Sequence, residues 1–228
     1  MKGIIFDFDG TLFDSMDLWE DVDLRFLAEY GKVPSQALRN KIKTMSAAES
    51  AKVFRQTFDL PLTEEEILAE FINIVNERYE KEILPKPFVL AYLEELRQAK
   101  IPLCIATATP RKPIEAALQR VGIVDYFSFI LTPEEVPEGK TRPDIYLECA
   151  RRFGLQPKEI TVFEDALHCV KTAKAAGFTV VGVADASAQE EREEIIARGD
   201  RFIETFGEML KEKKKGEQNE KSVDDSRL

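Results

Sequence analysis

The sequence predicts an α/β protein, a doubly wound parallel sheet with an all-helical block inserted after its first strand. Three observations carry this expectation. The chain opens on a short apolar run, KGIIF at residues 2–6, that ends at an acidic turn. Between Asp14 and about Leu84 the apolar residues recur at helical spacing, and no strand-like run occurs. From Lys86 onward, helical patterns alternate with short β-branched runs, the signature of a parallel sheet covered on both faces.

Taken in order, KGIIF is a buried strand bounded by polar residues and glycine. Leu18, Val22, Phe26 and Tyr30 then mark one face of a helix that Gly31 stops. Ser46 with Glu49, and Thr63 with Glu66, are capping boxes that open two more helices, the first reaching Phe58. The second carries Ile67, Phe71, Ile74, Val75 and Tyr79 on one face. Pro85 and Pro87 mark the return of the chain. The alternating part predicts strands at 102–106, 129–131, 160–163 and 179–183. The helices between them cover 89–100, a segment opening near Pro113, 143–154, and a segment ending at Gly177. The expected division is a core of residues 1–13 and 85–210, a helical domain of 14–84, and a tail of 211–228. That tail, KEKKKGEQNEKSVDDSRL, lacks periodicity and predicts disorder.

Composition narrows the function. The chain has 228 residues, and its 44% apolar share suffices for a proper core. A net charge of −10 argues against nucleic acid, whose binders cluster Lys and Arg. It leaves room for a small phosphorylated substrate in a locally positive pocket. The first residues are interrupted by acids too early for a signal peptide, and no run approaches the ~20 apolar residues of a membrane helix. Cys104, Cys149 and Cys169 are scattered in apolar contexts and read as reduced core thiols. Together these features predict a cytoplasmic location.

Ligands of open α/β sheets bind beyond the carboxyl ends of the strands. There the chain places Asp7-Phe8-Asp9-Gly10-Thr11 after the first strand, Thr107-Ala108-Thr109 after the second, and Glu164-Asp165 after the fourth. Lys140 lies ahead of the helix marked by Pro143 and Asp144. Residues two apart in extended chain share a side, so Asp7 and Asp9 point together while Phe6 and Phe8 point away. A hydroxyl of Thr107-Ala108-Thr109 could donate to a phosphate oxygen or cap the helix that follows; capping is expected of Thr109, while Thr107 sits nearer the strand end. The carboxylates suit an octahedral Mg²⁺, and one of them is free to attack phosphorus. The single histidine, His168, is expected to be structural or incidental.

These segments resemble the four motifs of the haloacid dehalogenase superfamily: FDFDGTLFDS, CIATAT, GKTRPDIYL and VFEDALHCVKTAKAAG, in the family's order. The helical block sits where that family's cap belongs. The resemblance implies a Rossmann-like core and hydrolysis of a small phosphate monoester, a sugar phosphate or nucleotide. It makes Asp7 the nucleophile and Asp9 the general acid and base, with Thr107 and Lys140 as the phosphate holders. Mg²⁺ would be held by Asp7, the Asp9 carbonyl, Glu164 and Asp165. Ala166, Cys169 and Thr141-Arg142 depart from the family pattern without removing a chemical group. A β-phosphoglucomutase-like phosphomutase is the alternative. However, Trp19 stands where counting places the mutase histidine, and residues 44–48 lack the mutase arginine. A dehalogenase would not need Asp9 or the Glu164-Asp165 pair. A regulatory phosphate binder without turnover would not need an intact nucleophile. Trp19 is the expected substrate-facing residue of the cap, which would close over the sheet edge on hinges near 13–16 and 84–87. The expected partner is a small phosphorylated metabolite, without nucleic acid or membrane.

Overall fold

The computed structural model describes residues 2–42 and 47–210. The capping box expected at Ser46, residues 44–46 of the stretch compared with the mutase, and the tail 211–228 lie outside the described residues. The chain divides into two compact units, Met1–Ser15 with Leu84–Leu228, and Met16–Ile83. Ser15 thus groups with the sheet, two residues beyond the expected boundary.

In the sheet unit, β1 (Gly3–Phe6) lies at the centre of six parallel strands. The chain leaves it through a two-residue strand β2 (Phe13–Asp14), and after the helical unit returns through β3 (Leu84–Pro85). These two short strands pair antiparallel, a ribbon that the sequence reading did not contain. The remaining strands are β4 (Leu103–Ala106), β5 (Phe129–Leu131), β6 (Ile160–Glu164), β7 (Thr179–Val183) and β8 (Arg201–Ile203). Their order in the sheet is β5-β4-β1-β6-β7-β8. The chain builds outward from β1 to one side, then crosses over and builds to the other, which makes the β4-β1-β6 region the switch point. Strands β1, β4 and β6 are buried at every position. This explains the apolar residues that dominate GIIF, LCIA and ITVFE. Phe6 stacks on Phe163 with ring centroids 4.9 Å apart, and Tyr92 and Phe206 pack around the pair. The β1–β6 register is therefore fixed immediately below the acidic ends of both strands.

In the helical unit, α1 (Met16–Glu29), α2 (Gln36–Ile42), α3 (Ala47–Phe58) and α4 (Glu64–Lys81) share a core of Phe26, Leu27, Ala51, Phe54, Leu60 and Ile67. Phe71 meets Phe26 and Phe54 edge-on. The expected capping box is formed: Thr63 Oγ1 accepts from the Glu66 amide, and Glu66 accepts from the Thr63 amide. The short helix α2 was not foreseen, because two partly buried residues, Leu38 and Ile42, give too little periodicity. Its opening rests on Ser35, whose Oγ accepts from the Leu38 amide.

The sheet unit continues with α5 (Val89–Gln98), α6 (Arg111–Arg120), α7 (Asp144–Phe153), α8 (Leu167–Ala175) and α9 (Arg192–Arg198). Among the described residues no helix is long and apolar enough to cross a membrane. Cys104, Cys149 and Cys169 are buried free thiols.

Candidate active site

Register brings the acidic pairs together. Phe6 pairs with both Ile105 and Phe163, and the Asp7 amide donates to the Phe163 carbonyl. One step further along each strand come Asp7, Ala106 and Glu164, followed by Thr107 and Asp165. The turn after Asp9 requires the positive φ of Gly10, where an L side chain would be strained. It closes through the Gly10 amide on the Phe13 carbonyl and the Leu12 and Phe13 amides on the Phe8 carbonyl. Phe8 stacks on Phe13 with ring centroids 4.4 Å apart.

Asp7, Glu164 and Asp165 each present a carboxylate oxygen within 4.8 Å of the others, and all three are buried. Lys140, itself only 6% exposed, donates to Asp7 Oδ1 and, at 2.7 Å, to Glu164 Oε1. Tyr146 on α7 donates to the same glutamate oxygen at 2.7 Å. Thr11 donates to Asp165 Oδ1 at 3.0 Å. Asp9 stands apart from the three-carboxylate group. Ser15 donates to its Oδ1 and Thr109 to its Oδ2, each at 2.6 Å. Thr107 is fully buried, and its Oγ1 accepts from the Thr109 amide at 3.0 Å, which leaves the hydroxyl proton to be donated.

Burial pushes Glu164 up to about 7 despite the opposing Lys140 ammonium, with Asp7 adding to the rise. Burial, and then the neighbouring Asp7 and Glu164 anions, raise Asp165 well above the ordinary carboxylate range. Burial disfavours the charge of Lys140, yet the Asp7 and Glu164 carboxylates overcome this and raise its pKa. Three clustered carboxylates, only two of them paired with the Lys140 ammonium, leave anionic charge in excess in a buried place, where charge is costly unless paired. An all-oxygen donor set of this kind fits Mg²⁺ by its chemistry. Asp7, Glu164 and Asp165 are the side chains that could hold it. The carboxylate of Asp9 is already engaged by two hydroxyls, so only its backbone carbonyl could join them.

The profile of the haloacid dehalogenase-like hydrolase family matches residues 4–183. The chain belongs to that family. Among its relatives, this hydrolase is 30% identical over 181 residues to the phosphorylated carbohydrates phosphatase of Thermotoga maritima, covering 78% of this chain and 82% of that one. It is 33% identical over 184 residues to hexitol phosphatase A of Escherichia coli, covering 80% and 82%. A crystal structure from Thermotoga maritima, provisionally described as a β-phosphoglucomutase, superposes with a TM-score of 0.76. That match has 26% identity and covers 89% of the hydrolase and 94% of that chain.

Of the residues singled out from the sequence, Asp7, Lys140, Glu164 and Asp165 form one cluster in the hydrolase. Asp9, Thr107 and Thr109 form a second, linked set. Trp19 lies on α1 of the helical unit, 41% exposed, with its ring edge-on to Tyr79. His168 is exposed, with its Nε2 3.2 Å from Cys169 Sγ. Thr109 corrects the expectation of a cap. Helix α6 has Pro110 at its N-cap position with no side-chain cap bond, and the Thr109 hydroxyl goes to Asp9 instead. Thr11, Ser15 and Tyr146 were missed as site residues. Thr11 and Ser15 could have been found as the hydroxyl residues that follow Asp9 within DGTLFDS. Tyr146 carried no signal, since a buried tyrosine on an amphipathic helix reads as core.

Proposed function

We propose that this hydrolase is a Mg²⁺-dependent phosphatase that cleaves a small phosphate monoester, a sugar phosphate or a nucleotide, through an aspartyl-phosphate on Asp7. The observation that carries the reading is the buried set Asp7, Lys140, Glu164 and Asp165 beside a separately held Asp9. Lys140 occupies one oxygen of Asp7 and leaves the other to attack phosphorus in line. The P–O bond to the leaving group breaks as the bond to Asp7 forms, and the departing alkoxide takes a proton from Asp9. Asp9, now a carboxylate, removes a proton from the water that attacks the phosphoryl group and releases Asp7. Ser15 and Thr109 hold both of its oxygens, which keeps its orientation through both steps. Thr107 and Lys140 donate to phosphoryl oxygens. Mg²⁺, held by Asp7, Glu164 and Asp165, would supply charge neutralisation at the phosphoryl oxygens.

The named relatives support the reaction class, since two of them are described as phosphatases of phosphorylated carbohydrates and of hexitol phosphates. Buried free thiols suit a cytoplasmic enzyme. The phosphomutase reading shares the aspartyl-phosphate step and is favoured by the structural likeness. Trp19 in place of the expected histidine argues against it.

Trp19 is proposed to contribute to the choice of leaving group. A tryptophan packed in a core costs about 3–5 kcal/mol when truncated. Trp19, at 41% exposure, should cost far less. The test is phosphate release from a panel of sugar phosphates, polyol phosphates and nucleotides, with wild type and Trp19→Ala compared. Wild type is expected to prefer one class, and the variant to reorder the panel with a small change in Tm. No release from any ester would reject the phosphatase. An unchanged ranking with a large loss of Tm would reject the role of Trp19.

A further inference from the structure

Lys86 lies outside the carboxylate cluster, two residues after the start of β3, and it is nearly buried. Its ammonium donates to the Gly10 carbonyl, to the Ala184 carbonyl at 2.7 Å, and to Asp185 Oδ2 at 2.7 Å. Its own amide donates to the Leu12 carbonyl at 2.9 Å. One residue therefore grips the Gly10–Leu12 turn at two points, once through the backbone and once through the side chain. The same ammonium ties that turn to the end of β7.

A lysine buried this deeply needs a counter-charge and full use of its three donors, and it has both. Asp185 supplies the charge. Its other oxygen is committed to the Ser187 amide and hydroxyl, so the carboxylate cannot swing away freely. The Gly10 carbonyl bears on the site through its neighbours. It belongs to the peptide plane joining Gly10 to Thr11, and Thr11 holds Asp165 through its hydroxyl. On the other side of Gly10 is the peptide plane whose carbonyl belongs to Asp9. The Asp9–Gly10 plane is held by the Gly10 amide on the Phe13 carbonyl, whereas at Gly10, with a positive φ and no side chain, the following Gly10–Thr11 plane is not fixed by steric preference. The Lys86 ammonium on the Gly10 carbonyl holds that second plane.

We propose that Lys86 is a positioning residue for the catalytic turn. By holding the Gly10 carbonyl it sets the Gly10–Thr11 peptide plane, and with it the Thr11–Asp165 contact, in the arrangement that metal binding needs. The inference rests on the reaction proposed above. A displacement of about 1 Å in a reacting group can cost about 100-fold in rate. Loss of the ammonium is therefore expected to act on turnover, not merely on stability.

The test compares Lys86→Met with Asp185→Asn, well below the Tm of each. Lys86→Met should lower kcat by about 10- to 100-fold with KM within about twofold of wild type. The Mg²⁺ concentration that half-saturates the rise in Tm should increase several-fold, a readout that needs no substrate. Asp185→Asn keeps an acceptor for Lys86 together with the bonds to Gly10 and Ala184, so it should lower Tm and leave kcat within about twofold. If Lys86→Met does not fold, Lys86→Gln is measured by the same criteria. Unchanged kcat and Mg²⁺ response in the lysine variant, or an equal loss of kcat in both variants, would overturn the proposal. If wild type itself hydrolyses no phosphate ester, the proposed reaction fails, while the Mg²⁺ titration still reports on Lys86.

Discussion

Asp7→Asn is expected to reduce turnover by at least about four orders of magnitude while the protein remains folded, because an amide cannot serve as the attacking group. The energetics of the cluster predict the second half of that result. Asp7 is one of three clustered buried carboxylates, of which it and Glu164 pair with the Lys140 ammonium. Its neutralisation removes repulsion on Glu164 and Asp165, both of which burial and the Asp7 charge already raise. Lys140 keeps its 2.7 Å bond to Glu164. Tm should therefore stay level or rise. Lost activity accompanied by unfolding would show that Asp7 contributes to the fold, and retained turnover would move the nucleophile elsewhere.

The second large effect concerns the metal. Exhaustive chelation is expected to lower phosphate release by at least about 1,000-fold, and added Mg²⁺ should restore it. The anionic excess gives this prediction a companion that needs no substrate. A ligand that binds only the folded state at 100 times its Kd adds about 2.7 kcal/mol of stability. Saturating Mg²⁺ should thus raise the Tm of wild type by several degrees, and that rise should shrink in Asp165→Asn. Full activity after chelation, or a Tm indifferent to Mg²⁺, would count against an oxygen-ligated metal at this site.

Much of the sheet could be read directly because its strands are buried on both faces. Strands such as β6 (ITVFE) and β7 (TVVGV) appear as short, mostly apolar and β-branched runs, and β6 ends on Glu164 with Asp165 next. The ends of β1, β4 and β6 announced Asp7, Thr107 and Glu164-Asp165 because polar groups at the edge of a buried sheet are conspicuous. What stayed hidden involves groups whose partner is far away in sequence. Thr109 looks like a cap for the helix beside it, yet it bonds to Asp9, 100 residues earlier. Tyr146 looks like core, and its hydroxyl shows a role only once Glu164 is seen beside it. Lys86 is one basic residue among 32 until its ammonium is found on the Gly10 and Ala184 carbonyls. The β2–β3 ribbon was missed for another reason. Its strands are two residues long, too short for any period, and they pair only because both ends of the helical insertion return to the same place.

The central claim is covalent catalysis by Asp7, and the most direct measurement is acid-quenched turnover with a phosphate ester labelled on phosphorus, followed by mapping of the label. The account predicts label on the N-terminal peptide at Asp7, released by hydroxylamine as an acyl phosphate should be, and absent from Asp7→Asn. Steady-state phosphate release with label on another residue, or with none on the protein at any quench time, would contradict it.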